Sequence, residues 1–565
     1  MHSELYGNKV MKEDIIREIQ SINFQGALIS TSKLSALLYA VLQEAPDALN
    51  TYDLIKTVYG LRVIENNGNI MLYCSRVLIF SIQTLFTLNK WLLAYGTDDL
   101  NITKVLSPID ELYNILKLAI MINDYLPIDV DVDGHEVEFM YLMAYHNTIK
   151  NIKNQIARSY YLFVTLMNDT AETKDFSQKF FEINQFRIEE YLAECINNLQ
   201  FVYGEWKIGT FFTLPVGCGI KEFDAKLLTP VHEKIINTLA EPPEMSKKKA
   251  VTTIDRKWDF DLFYMSPMIA INNLALSISP ITTLYQAFEG LYWKLFFLTN
   301  DNEHKIAFSR GFGRVFEHYI QQVSYAATGN GYDFLNEFVY QYKGDERRAS
   351  DAYIKQGTKL IIIEAKAKSP QGATLKGYSR NIIEEELVDL LVAPVHQVDQ
   401  RLCEILSEDS IFDNQSTKDF FTHITQVSIL TVSMEKVQPV NVLSTMADAY
   451  LHSEVLAPVV KLVHGKKVIE PTRCKLSSDL IKNYFNFNLD DFEAICLLIE
   501  NGIDVFSLLE ELFSLRKGSQ YEVPLFRNLV IKCGNTYGSS KFVNQILDKT
   551  FKQLYQVTFG KSMEG

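Results

Sequence analysis

Ser350-Asp351-Ala352-Tyr353-Ile354, a break at Gln356-Gly357, and then Leu360-Ile361-Ile362-Ile363-Glu364-Ala365-Lys366-Ala367-Lys368 is the stretch that decides how this chain folds. Side chains of a strand alternate between its two faces, so Glu364, Lys366 and Lys368 share one face and Ile361, Ile363, Ala365 and Ala367 the other. The beginning of the second strand is apolar on both sides, as in a central strand covered twice. Its end turns polar on one side only. The break at Gln356-Gly357 is a tight hairpin turn, which returns Asp351 to the side of Glu364.

Two carboxylates facing one point, with an ammonium two residues along, suit a hard divalent cation that keeps several of its waters. A metal-bound water can attack a phosphodiester, and a neighbouring lysine can hold that water or offset charge growing on phosphate oxygens. In these residues the chain resembles the PD-(D/E)xK superfamily of restriction-endonuclease-like nucleases. Asp351 matches the first acid, Glu364-Ala365-Lys366 the second half, and Ser350 stands where the proline is usual. The triplet alone is common, since Glu303-His304-Lys305 and Asp224-Ala225-Lys226 fit it too. The order of elements is more specific: a helix over 311–325, a strand over 334–342, the hairpin, a helix over 384–406 and an apolar strand over 427–432. The resemblance covers residues 307–439. It implies a mixed sheet flanked by helices (α+β or α/β) with Mg²⁺ as cofactor, Mn²⁺ substituting, held by Asp351, Glu364 and Glu317. Lys366 would organise the attacking water, and Gln397 would face the site from the second helix. His318 and His396, beside them, read as packing residues.

The 565 residues are 47% hydrophobic and 12% aromatic, enough for an extensive core and against long disordered spans. A net charge of −14 argues against indiscriminate coating of nucleic acid. Between Lys343 and Arg380, however, nine basic residues face four acidic ones, a local surplus suited to tracking phosphates. The seven cysteines are scattered and never spaced Cys-x-x-Cys, so neither a disulfide framework nor a zinc site follows, and a reducing cytoplasm fits. No basic-then-apolar leader is visible at the start, and the most apolar run, 77–88, is too short to span a bilayer and reads as a buried helix.

Residues 1–300 form a mainly helical region by their three-and-four apolar spacing, clearest at 70–91, 112–124, 139–167 and 180–202. Within it, 240–257 reads as an exposed loop around Pro242-Pro243 and Lys247-Lys248-Lys249. Asp129-Val130-Asp131-Val132-Asp133-Gly134 opens like a calcium loop, but its twelfth position is Met140, so a hairpin on an Asp-Gly turn is expected instead. Residues 267–298 read as helical and lead into the nuclease-like core at 301–440. Residues 369–377 form a polar loop able to close over substrate. Residues 441–565 again read as mainly helical, with a break at Asn501-Gly502 between two helices.

The expectation is therefore a Mg²⁺-dependent DNA endonuclease. By resemblance it would be a regulated effector of a host-defence, anti-phage type of system, with a protein partner engaging the helical regions and no membrane association. Two alternatives stand beside it. One is a catalytically idle member that binds nucleic acid or scaffolds a complex; the other is RNA as substrate, although nothing in the chain reads a 2′-hydroxyl.

Overall fold

Helix α1 (Asn302–Ala327) begins where Asp301 accepts the Glu303 amide at 3.0 Å, satisfying one of the unpaired donors of a helix start. Phe308, Phe312, Val315, Phe316, Tyr319, Ile320 and Val323 form one fully buried stripe along it. Each contributes about 1.5–3 kcal/mol by leaving water. The computed structural model describes residues 10–67, 81–97, 108–125, 151–199, 202, 206–214, 217–219, 231–256, 258–271, 274–369, 380–437, 441–463, 466–518 and 540–559.

The chain is mixed α and β. After α1 come β1 (Asp333–Asn336), β2 (Ala352–Gln356) and β3 (Lys359–Lys366), then helix α2 (Ala393–Ile405), β4 (Gln426–Ser433), β5 (Ile481–Phe487) and α3 (Leu489–Glu500). The five strands form one sheet in the order β5-β4-β3-β2-β1. β5, β4 and β3 run parallel, while β3, β2 and β1 are joined antiparallel. Gln356 pairs with Lys359, leaving Gly357-Thr358 as a two-residue turn, and Gly357 takes φ +60°, a conformation that favours glycine.

The hydrophobic faces of β3 divide as its alternation dictates. Ile361, Ile363 and Ala365 join the core of α1, α3 and the N-terminal helices, whereas Leu360 and Ile362 pack with Val395, Val398 and Leu402 of α2. β3 is thus covered on both sides, and its backbone groups are paired on both edges.

Several expectations change. The strand expected over 334–342 is two strands. β1 stays in the main sheet, while Val339–Tyr342 turns away to pair with Asp345–Arg348 and Ser410–Phe412 in a second sheet. The change of direction is fixed by Phe338, whose carbonyl accepts the Ala349 amide at 2.9 Å and whose ring packs on Tyr340, Tyr353, Phe412 and Phe421. The loop expected over 240–257 is largely a helix, Pro243–Thr253, with proline at a position where the missing N–H costs nothing. It buries Ser246 and Ala250, while Lys249 pairs with Glu241 at 2.6 Å. The helical reading of 267–298 holds only from Pro280; Met268–Ile271 and Leu274–Ser277 are strands of a four-stranded sheet.

The C-terminal region is not only helical either. Leu456–Val463 and Lys466–Arg473 make a hairpin, and β5 supplies the edge of the main sheet from beyond residue 440. Asn501-Gly502 does separate two helices, with Gly502 at φ +71°. Within 180–202 the helix breaks at Gln185, which takes φ +61°. The hairpin expected near 128–139, Asp224-Ala225-Lys226 and nearly all of the 369–377 loop lie outside the described residues. Among the described residues no helix is long and apolar enough to cross a membrane.

Candidate active site

The hairpin register carries Asp351 to Glu364. Ala352 pairs with Ile363, so the residue before β2 falls beside Glu364 on β3. Asp351 Oδ2 accepts the amide of Ala365 at 2.6 Å, and Gln321 of α1 donates to the Asp351 carbonyl at 3.1 Å. The Asp351 backbone is therefore anchored to the helix and its side chain to the neighbouring strand. Both carboxylates are deeply buried, Asp351 8% and Glu364 4% exposed.

Glu364 is clasped by two cations. Lys366 Nζ donates to Oε1 at 3.0 Å, as expected from their shared face, and Arg401 Nη1 donates to Oε2 at 2.8 Å. Among the described residues Asp351 makes no ion pair of this kind. Burial, and next the charge of Glu364, push its pKa up to about 8; the Ala365 amide and Lys366 oppose this, and Glu317 adds to it. Glu317, half-buried on α1, is raised too, first by burial and then by Glu337, with Arg348 and Arg314 opposing and Glu364 contributing. Glu317, Asp351, Glu364 and Lys366 therefore sense one another's charge at the end of β3.

The remaining expected groups fall around this point. Gln397 is half-buried on α2, one turn before Arg401 and so on the same helix face; it makes no hydrogen bond with the described residues. Lys368 reaches Asp389 at 2.5 Å. His318 is exposed on α1, and His396 Nε2 meets Gln400 at 3.1 Å. Glu303-His304-Lys305 lies in the first turn of α1 rather than at the end of a strand, with His304 Nε2 against the Leu295 carbonyl at 2.9 Å. Among the described residues no group of three or more His, Cys, Asp or Glu is placed to hold a metal ion.

The basic surplus of 343–380 is largely answered from outside that window. Lys343 faces Asp409 at 3.9 Å, Arg347 faces Glu404 at 4.0 Å, and Arg348 pairs with Glu337. Lys359 faces Asp504 at 4.0 Å, Arg380 pairs with Glu384 at 2.8 Å, and Lys355 donates to the Phe420 carbonyl at 2.6 Å. Several of these pairs are exposed and hold their partners weakly.

Sequence reasoning missed Arg401. Its one signal was the four-residue spacing from Gln397, which places both on the side of α2 that meets the sheet. No family model, curated protein or solved structure matches this chain.

Proposed function

We propose that the chain is a metal-dependent nuclease that hydrolyses DNA phosphodiester bonds on a PD-(D/E)xK-type core. The observation that carries this reading is the side-by-side burial of Asp351 and Glu364, with Lys366 attached to Glu364 and Asp351 making no ion pair with the described residues. A buried carboxyl whose ionisation is opposed by its neighbours is a place where an added cation is favourable. The donor set also fits: hard oxygens, with Asp351 Oδ1 making no hydrogen bond to the described residues. Mg²⁺ needs only one or two protein carboxylates besides its waters, so the lack of a larger ligand cluster among the described residues is compatible with it.

Asp351 and Glu364 would hold the ion; Glu317, expected as a third ligand, is not grouped with them closely enough for that and would add only its charge from α1. A divalent ion there supplies an acidified water and neutralises charge on phosphate oxygens. The Lys366 ammonium, 30% exposed and hinged on Glu364, can donate a hydrogen bond to that water or to a phosphate oxygen. The Ala365 amide keeps Asp351 from rotating away, and Gln397 stands on the face of α2 turned to the sheet.

The extensive helical regions support a regulated or targeted effector that receives a protein partner through those regions, and the resemblance to restriction-endonuclease-like nucleases is what points to a host-defence setting. One observation favours a second reading, an idle nucleic-acid-binding or scaffolding subunit: both oxygens of Glu364 are already engaged by Lys366 and Arg401. A cutting assay separates the readings. The protein is incubated with Mg²⁺ or Mn²⁺ and plasmid DNA, linear DNA or RNA. The nuclease reading expects DNA cleavage that falls about 10²-fold or more in Asp351→Ala and Lys366→Ala. Binding without cutting across metals favours the idle subunit, cutting of RNA alone changes only the substrate, and cutting that survives both substitutions defeats the site.

A further inference from the structure

We propose that Arg401 is the phosphate clamp of this site: it rests on Glu364 until a divalent cation takes that carboxylate, then turns to the scissile phosphodiester. The inference rests on the nuclease reading and adds a residue and a sequence of events to it. Arg401 Nη1 donates to Glu364 Oε2 at 2.8 Å, its one hydrogen bond to the described residues. Its guanidinium therefore keeps most of its donors uncommitted, with the side chain 22% exposed. It emerges from the middle of α2, a helix packed on β3 and β4, so its base is fixed while its head reaches the mouth of the site.

Chemistry favours the exchange. A planar guanidinium matches two phosphate oxygens at once, which a point-charge ammonium cannot do. Lys366 already occupies the other oxygen of Glu364, so Arg401 is not needed to neutralise that carboxylate. Once a dication binds there, Glu364 cannot serve three cations equally; Lys366 and Arg401 are each held by one hydrogen bond, and the guanidinium is the one that keeps a fork of further donors to offer elsewhere. A phosphodiester, arriving with its negative charge beside the ion, offers it a better partner. Without metal the same contact keeps Glu364 compensated and Arg401 parked.

The test compares full-length wild type, Arg401→Gln and Arg401→Lys, each checked for an unchanged thermal transition. Mn²⁺ binding is measured by calorimetry without nucleic acid; a short DNA duplex is then titrated in Ca²⁺ by fluorescence anisotropy. Removing a competitor for Glu364 makes Arg401→Gln bind Mn²⁺ about 3-fold or more tighter, while its DNA affinity falls about 10-fold. Arg401→Lys keeps the charge but not the fork, so it holds metal as wild type does and loses about 3-fold in DNA affinity. Wild type binding Mn²⁺ while Arg401→Gln binds metal more weakly and DNA unchanged makes Arg401 a mere support for Glu364, and the clamp falls with the nuclease reading intact. Wild type binding neither Mn²⁺ nor DNA removes both.

Discussion

Asp351 Oδ2 and the Ala365 amide lie 2.6 Å apart, so the strand that carries Glu364 also holds the other acid of the pair. The contact opposes the upward push on the Asp351 pKa without cancelling it, and the group ends near 8 against an ordinary value of 3.8. A carboxyl raised in the folded state binds its proton more tightly there than in the unfolded chain. Its contribution to stability is then full below pH 4 and is lost as pH rises through about 8. In metal-free buffer, Asp351→Asn is expected to stabilise the protein at pH 8 by an amount on the order of several kcal/mol and to leave it nearly unchanged at pH 4. Urea unfolding at the two pH values measures this. An equal effect at both would mean that Asp351 is not the strained group.

Divalent cation should erase that difference. Bound between the carboxylates, it favours their ionised forms, so wild type is expected to gain thermal stability with Mg²⁺ or Mn²⁺, more at pH 8 than at pH 5. Asp351→Asn should lose most of the gain. A differential scanning fluorimetry series over cation concentration reads this without any nucleic acid. A shift of the same size in wild type and variant would place the binding elsewhere.

Glu364 has the opposite role in the metal-free protein: it is the counter-ion of Lys366 and Arg401. Glu364→Ala leaves two partly buried cations without it and is expected to cost about 1–2 kcal/mol, moderated because both remain partly exposed. Glu364→Gln keeps hydrogen-bond acceptance at one oxygen and should cost less. Equal stability of wild type and both variants would show the clasp to be energetically idle.

The hairpin was legible because alternation and a two-residue turn are local, and Asp351 and Glu364 sit at positions that the turn alone determines. Arg401 was not, because the four-residue spacing from Gln397 gives its helix face but not how far along β3 its side chain reaches. The edge strand β5 was hidden for a related reason. Tyr484, Phe485 and Phe487 are buried on both faces, so the segment lacks the alternation that marks a half-exposed strand, and its partner β4 lies about fifty residues earlier. The fragment 301–440, which sequence alone suggested as the core, therefore lacks one strand of its own sheet. Expressed by itself it is expected to be insoluble or to lack a cooperative transition, because β4 would expose the backbone edge that β5 covers. A cooperative, soluble 301–440 would show β5 to be dispensable.

The body of the protein is locked to the site helix through Arg158. Its Nε meets Glu493 Oε1 at 2.8 Å, its Nη2 meets Asp490 at 2.6 Å, and Tyr319 of α1 donates to the same Glu493 oxygen at 2.5 Å. Arg158 and Glu493 are buried at 2% and 0% exposure, so each charge depends on its partners in this cluster rather than on water. Breaking such a pair from one side strands a charge in a low-dielectric interior, whereas replacing both sides by apolar groups removes the desolvation cost as well. Arg158→Met is accordingly expected to destabilise by about 3–5 kcal/mol, and Arg158→Met with Glu493→Leu by distinctly less, since the second change removes the orphaned carboxylate although Asp490 still faces the gap. Chemical denaturation of the four proteins of this cycle gives the coupling directly. Because Tyr319 lies two residues from Glu317 on α1, the single variant should also lower Mn²⁺ affinity at the distant site, while the double variant recovers part of it. Strictly additive losses would mean that the network ties the helices together without being felt at Glu317.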